Sequence, residues 1–318
     1  MARTRYVPDR GLTARMTATM FLLGLVFVGF VAALVGILSA AHTSGAAIVF
    51  FAVVLAGGMA FGSYFFSDKI ALYTAGAREV SPQEAPELHG VIDRLCALAD
   101  MPKPRVAIAD ADMPNAFATG RNSKKAVVCV TRGLLRRLDR DELEGVIAHE
   151  MSHVAHKDVA VMTIASFLAI VAALVIRFAF YSELFGGGDR GRGRGGNDQN
   201  SFPVILVIMA VAIVVYAVSF LLIRLLSRYR ELAADRSGAL LTGQPSKLAS
   251  ALQKVTGDMA RIPNTDLRKA EGLNAFYFAP ALAKGGVSIS TLFSTHPSLE
   301  KRLEQLAKIS RQLGQPIG

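Results

Sequence analysis

His149-Glu150-Met151-Ser152-His153 places two imidazoles four residues apart, with a carboxylate directly after the first. On an α-helix, residues at that spacing share a face about one turn apart. Both rings can therefore reach one Zn²⁺ at ~2.0–2.1 Å. Glu150 then sits beside the metal without being forced onto it, where it can take a proton from an activated water. The competing reading is coincidence, since a bare His-Glu-x-x-His turns up in roughly one chain in a hundred of this length. The neighbours argue against coincidence. Asp139 followed by Glu142 is an Asp-x-x-Glu helix start, and Leu143, Val146 and Ile147 form an apolar flank, so a helix through Leu143–His156 is expected.

Two ligands leave the ion short of a third. A metzincin pattern needs glycine at 156 and histidine at 159, where this chain has His156 and Val159. A thermolysin-like carboxylate about twenty residues on would fall inside an apolar run. The next carboxylates are Glu183 and Glu231, and Glu231 has Asp235 four residues on along one helix face. A zinc-bound carboxylate with a second carboxylate beside it suits a ligand plus a group that orients a ligand histidine. Against that stands ordinary pairing of Glu231 and Asp235 with Arg228, Arg230 or Arg236. His156 reads as a polar residue at a helix end.

These residues must be held by elements, and the composition says where. Of 318 residues 52% are hydrophobic and only 19% charged, which points to a membrane protein. Four apolar runs are expected to span: Thr17–Ala41, Ala46–Phe66, Val159–Tyr181 and Phe202–Leu226. The net charge of +10 is then read against an anionic leaflet rather than nucleic acid. Arg3, Arg5, Arg10 and Arg15 put the N-terminus in the cytoplasm, and the hairpin turn, His42–Gly45, carries no Lys or Arg. Gly186–Gly196 between the last two runs reads as a flexible Arg-Gly linker. Its arginines oppose an outward crossing while Arg224, Arg228 and Arg230 favour a cytoplasmic return, so this second hairpin either spans fully or is shallow. Cys96 and Cys129 make no disulfide framework and read as core residues.

Between the hairpins the sequence turns soluble. Ser81-Pro82-Gln83-Glu84 starts a helix carrying Leu88, Val91, Ile92, Leu95 and Leu98, with His89 on its solvated side. Three β-prone runs follow, Arg105–Ala109, Asn115–Thr119 and Ala126–Thr131. A small sheet leading into the histidine helix is expected, whose edge strand, Asn115, Ala116, Phe117 and Ala118, can take an extended substrate by main-chain pairing.

At this point the chain resembles the HtpX-type membrane zinc metalloproteases, relatives of the CaaX prenyl proteases. The resemblance is carried by the two N-terminal runs, Asn115–Gly120, the His149–His153 motif with Asp158, the second hairpin, Glu231-Leu232-Ala233-Ala234-Asp235, and Ser294-Thr295-His296-Pro297. It implies that His149, His153 and Glu231 bind one zinc ion and that Glu150 is the general base. His296 is expected to stabilise the oxyanion, with Asp235 and Asp158 behind the ligands and Arg302 orienting Asp235 or His296. The family's work is the cleavage of damaged or misassembled membrane proteins on the cytoplasmic side of the bacterial inner membrane. The expected fold is α+β: a mainly helical membrane protein with four apolar spans and a zincin-like catalytic domain holding a small β-sheet. The expected domains are a membrane hairpin at 1–66, catalytic segments at 67–158 and 227–318, and a second hairpin at 159–226. The expected partners are polypeptides and the lipid bilayer. Two other readings are weighed. An intramembrane protease would keep the motif inside an apolar span, whereas Glu142, Glu144, Lys157 and Asp158 bracket it here. A non-proteolytic scaffold with structural zinc would use four protein ligands rather than three beside a free Glu150.

Overall fold

The computed structural model describes residues 10–41, 46–186, 201–259 and 296–315. Arg3, Arg5, His42, the Arg-Gly run after Gly186, and Ser294-Thr295 lie outside the described residues, as does the side chain of Glu183. The chain divides into two compact units.

One unit comprises Thr17–Ser63 and Met162–Ile223. It is built from helix α1 (Arg10–Ala41), helix α2 (Ala46–Phe65), helix α7 (Asp158–Gly186) and helix α8 (Ser201–Thr242). Its exterior is apolar: Phe21, Val28, Phe61, Ile164 and Val214 are all exposed. Small residues fill its interior instead, among them Ala52, Ala56, Ala165, Ala172 and Ala212. That inversion of the water-soluble pattern is what lipid solvation selects, with backbone polar groups satisfied inside helices and small side chains letting helices approach. Stretches Arg10–Ala40, Asp158–Tyr181 and Pro203–Thr242 are long and apolar enough to cross a bilayer, and Ala52–Phe65 is a shorter apolar helix. Helix α8, at 42 residues, is ~60 Å long, about twice the hydrocarbon thickness. Its charged C-terminal part therefore extends well past its apolar part.

The other unit holds the chemistry. Helix α3 (Ser67–Thr74) leads to strand β1 (Ala77–Glu79), helix α4 (Pro86–Ala99), strand β2 (Arg105–Ala109), strand β3 (Ala116–Thr119) and strand β4 (Val127–Thr131). Helix α5 (Arg132–Arg137) and helix α6 (Arg140–Ala155) complete that run. The C-terminal part of α8 belongs here too, with helix α9 (Pro245–Met259) and helix α10 (Leu299–Gln312). The sheet has the order β1-β2-β4-β3, with β2 and β4 parallel and both edge strands antiparallel to their neighbours. Period-two alternation sorts its side chains between two cores. Val106, Ala116, Val128 and Val130 join the main core with Leu88, Ile92, Leu95, Val146, Ile147, Leu248, Leu252 and Leu306. Ala107, Ala109, Phe117, Val127 and Cys129 face the other way and pack with Ala71. Burial pushes the Cys129 thiol up to about 12 and the Cys96 thiol up to about 11, so both behave as core residues.

Two expectations are corrected here. Helix α4 starts at Pro86 rather than Pro82, because Ser81 and Glu84 close a separate turn: the Ser81 N–H donates to Glu84 Oε2 at 2.8 Å. His89 is buried rather than solvated, with Nε2 3.0 Å from the Val80 carbonyl oxygen. The chain running into α4 covers that residue through Val80, which joins the main core.

Candidate active site

Helix α6 carries the motif, and its start is fixed locally. Asp139 Oδ1 accepts from the Glu142 N–H at 2.8 Å while Glu142 Oε2 accepts from the Asp139 N–H at 2.9 Å. This closed capping box satisfies two otherwise orphan donors. Glu142 also accepts from Ser250 Oγ at 2.7 Å and Lys254 Nζ at 2.8 Å, tying the start of α6 to α9. At the other end His156 caps the helix, and Lys157 adopts a left-handed φ of 57°. This reversal brings Asp158, the first residue of α7, back onto the motif.

Helix α8 meets α6 at close range. A Cβ on Gly238 would lie 2.8 Å from the His149 backbone nitrogen, a distance only glycine permits. From that approach α8 presents Arg230, Glu231 and Asp235. His149 Nε2 and His153 Nε2 are 3.3 Å apart, and Glu231 carboxylate oxygens lie 3.6 Å and 3.5 Å from them. Ligands ~2.0–2.1 Å from one tetrahedral ion are separated by about 3.3–3.4 Å, so the two ring nitrogens have that spacing and the Glu231 carboxylate, with one oxygen toward each ring, faces the same centre. His149, His153 and Glu231 form the metal-capable group among the described residues, and His156 stands outside it.

The remaining ring nitrogens are held by carboxylates. His149 Nδ1 lies 3.0 Å from Asp235 Oδ1, and His153 Nδ1 lies 2.5 Å from Asp158 Oδ2. Each carboxylate is held in turn by an arginine. Arg302, fully buried on α10, donates to both oxygens of Asp235 at 2.8 and 2.6 Å. Arg230 NH2 lies 2.8 Å from Asp158 Oδ2. His296, just before α10, sets Nδ1 3.1 Å from Glu231 Oε2. Such outer contacts fix ring orientation and raise ligand basicity. Burial pulls the His149 imidazole down, yet Asp235 and Glu231 outweigh it and the ring ends at about 9.

Glu150 is buried, and burial pushes its carboxyl up. Its Oε2 accepts from the Ala118 N–H of β3 at 3.1 Å. The Thr131 N–H donates to the Asn115 carbonyl oxygen at 2.9 Å, so Asn115 faces β4, whereas Ala118 turns its N–H away from that strand. The expected edge strand thus reaches the expected base directly. Two features of this site escape sequence reasoning: the Arg230 hold on Asp158 and the Gly238 contact. Arg230 is visible beforehand only as one of several basic residues after an apolar run.

Two helical histidines and a more distant carboxylate spaced to hold one metal ion, in a chain that also carries long apolar helices, fit the class of membrane metallopeptidases. The chain belongs to Peptidase family M48, whose family model matches residues 82–310. "Protease HtpX homolog 1" of Streptomyces coelicolor is 58% identical over 314 residues, covering 98% of this chain and 97% of that protein. "Protease HtpX homolog" of Moorella thermoacetica is 51% identical over 305 residues, covering 96% of each. The crystal structure of S. mikatae Ste24p shares the fold, with a TM-score of 0.52 at 16% identity over 94% of this chain and 67% of that one. The expected family and the expected mainly helical α+β membrane fold are both borne out.

Proposed function

We propose that this membrane metalloprotease is a zinc endopeptidase that cuts damaged or misassembled membrane proteins on the cytoplasmic face of the bacterial inner membrane. The observation that carries the reading is the pair of ring nitrogens 3.3 Å apart with one Glu231 carboxylate oxygen 3.6 Å from His149 and the other 3.5 Å from His153, and with Glu150 on the same helix and bound to the edge strand. Two imidazoles and one carboxylate are a ligand set that suits zinc and leaves its fourth position open. A zinc ion held there supplies Lewis-acid polarisation of the scissile carbonyl and acidifies water. His149, His153 and Glu231 hold it. Glu150 takes the proton from the attacking water and delivers it to the leaving amine. Its hydrogen bond to Ala118 keeps that carboxylate aimed from the strand side. The Ala116 N–H and carbonyl and the Ala118 carbonyl are the outward backbone groups on which an extended peptide pairs, the Ala118 N–H being taken by Glu150. His296, with Nδ1 3.1 Å from Glu231 Oε2, donates to the developing oxyanion.

The test is digestion of casein and of a model membrane protein by purified chain stripped with a chelator and then resupplied with zinc. Cleavage that is lost on stripping and restored by zinc is expected. Stoichiometric zinc with no hydrolysis of either substrate would favour a scaffold with structural zinc.

A further inference from the structure

Helix α3 begins one residue after α2 ends. Its inner side is fully accounted for: Ala71 is buried, and Leu72 and Ala75 pack with it against Phe117 and Cys129 of the sheet. Its outer side is not. Phe66, Ile70 and Tyr73 are 50%, 50% and 90% exposed, at spacings of four and three that put them in one stripe. A stripe of Phe, Ile and Tyr facing water is unfavourable unless something apolar covers it.

The charges on this helix are sorted as well. Asp68, its one carboxylate, turns inward to Arg105 and is largely covered. Lys69 is exposed, with Nζ 5.8 Å from the Phe66 ring centroid. Arg121, from the turn after β3, sets its guanidinium 4.9 Å over the Phe65 ring, and its carbonyl oxygen accepts from Tyr64 Oη at 3.1 Å. Aromatic and aliphatic side chains flanked by cations, with the carboxylate withdrawn, match the layered chemistry of a bilayer surface: acyl boundary, then anionic headgroups. The stripe is also continuous along the chain with the end of an apolar helix, Phe65-Phe66. A soluble protein partner would not require that continuity.

We propose that α3 lies in the headgroup layer, with Phe66, Ile70 and Tyr73 immersed and Lys69 and Arg121 against lipid phosphates. Because α3 packs on Phe117, this seat holds strand β3 and its free edge at the bilayer surface. A segment of a membrane protein emerging from the bilayer then meets the edge strand first. The seat requires the bilayer and not the peptidase chemistry, so the two readings fail separately.

The chain has no tryptophan, which makes a single reporter clean. Tyr73→Trp is placed in the full-length protein, reconstituted in phosphatidylcholine–phosphatidylglycerol vesicles, beside Lys308→Trp on the polar face of α10. Blue-shifted emission at 73 that is strongly quenched by brominated phosphatidylcholine and shielded from acrylamide is expected, with the reverse at 308. Emission at 73 that matches 308 in all three respects overturns the proposal. In parallel, the double variant Ile70→Asp, Tyr73→Asp should cleave a soluble peptide in detergent at the parent rate and a vesicle-embedded substrate several-fold more slowly. Equal loss on both substrates would instead assign the stripe to folding and overturn the seat. The quenching result stands whether or not any substrate is cleaved.

Discussion

Each ligand atom is only as well placed as the group behind it. Arg230 holds Asp158, and Asp158 holds the Nδ1 of His153, so Arg230 bears on the proposed metal site through two side chains. Loss of such an outer partner costs ~10–100-fold in metal affinity. Arg230→Met is therefore expected to weaken zinc binding by about that factor, read by competition against a chromogenic chelator, with Arg230→Lys recovering part of it. Unchanged affinity in the Met variant would remove Arg230 from the site. His149, Glu150 and His153 were legible beforehand because helical geometry alone fixes their spacing. Glu231 and Asp235 were legible as a pair by the same geometry. Arg230 was not, because its partner is set by where α7 begins. That point depends on the left-handed turn at Lys157, and a lysine there gives no signal for such a turn.

At the scale of elements, two joints position α6. Its N-terminus is joined to α9 through Glu142. Burial pushes the Glu142 carboxyl up, but Lys254, Ser250 and the Asp139 N–H outweigh it and hold it below the usual carboxylate value. A depressed carboxyl contributes stability that is full above its unfolded pKa, ~4.3, and disappears as pH falls through the folded value. Glu142→Gln is thus expected to be less stable than the parent by about 1–3 kcal/mol at pH 7. The gap should close as melting is followed downward from pH ~4.3. A gap independent of pH would contradict this.

The second joint is Gly238 against His149. Gly238→Val should force α8 off α6, with a loss of about 1–3 kcal/mol from overpacking and weaker zinc binding. Melting and chelator competition both read it, and a variant with parental values in both would show that the helices have room. The capping box of α6 and the runs that became β2, β3 and β4 were readable because local propensity and turn residues agree there. Strand β1 was not. Ala77-Arg78-Glu79 has no apolar alternation and is a strand only because β2 offers it a partner. His89 was misjudged for a related reason: its cover comes from Val80, beyond the helix itself.

At the scale of the whole chain, the proposed metal site constrains topology. His153 and Glu231 lie 3.5 Å apart in one proposed metal site, so the chain between them must cross the membrane an even number of times, twice or not at all. The proposed cytoplasmic orientation follows from the arginines at the start of the chain, with two N-terminal crossings returning it to the same side. Single cysteines introduced as Lys124→Cys and Lys308→Cys, with Cys96 and Cys129 replaced, should resist a membrane-impermeant maleimide in intact cells and react after permeabilisation. Strong labelling of intact cells at either position would place the catalytic unit outside. The apolar runs announced the membrane helices plainly. What they concealed is that the fourth run and the Glu231–Asp235 pair belong to one unbroken helix, because a change from apolar to charged residues does not interrupt helical hydrogen bonding.

The central claim is that His149, His153 and Glu231 hold zinc while Glu150 moves the proton. The most direct measurement pairs metal analysis with hydrolysis in Glu150→Gln, which removes the base and leaves every ligand in place. Stoichiometric zinc with peptide cleavage reduced by ~10²–10⁴-fold is the expected result. Stoichiometric zinc with cleavage at the parent rate would contradict it.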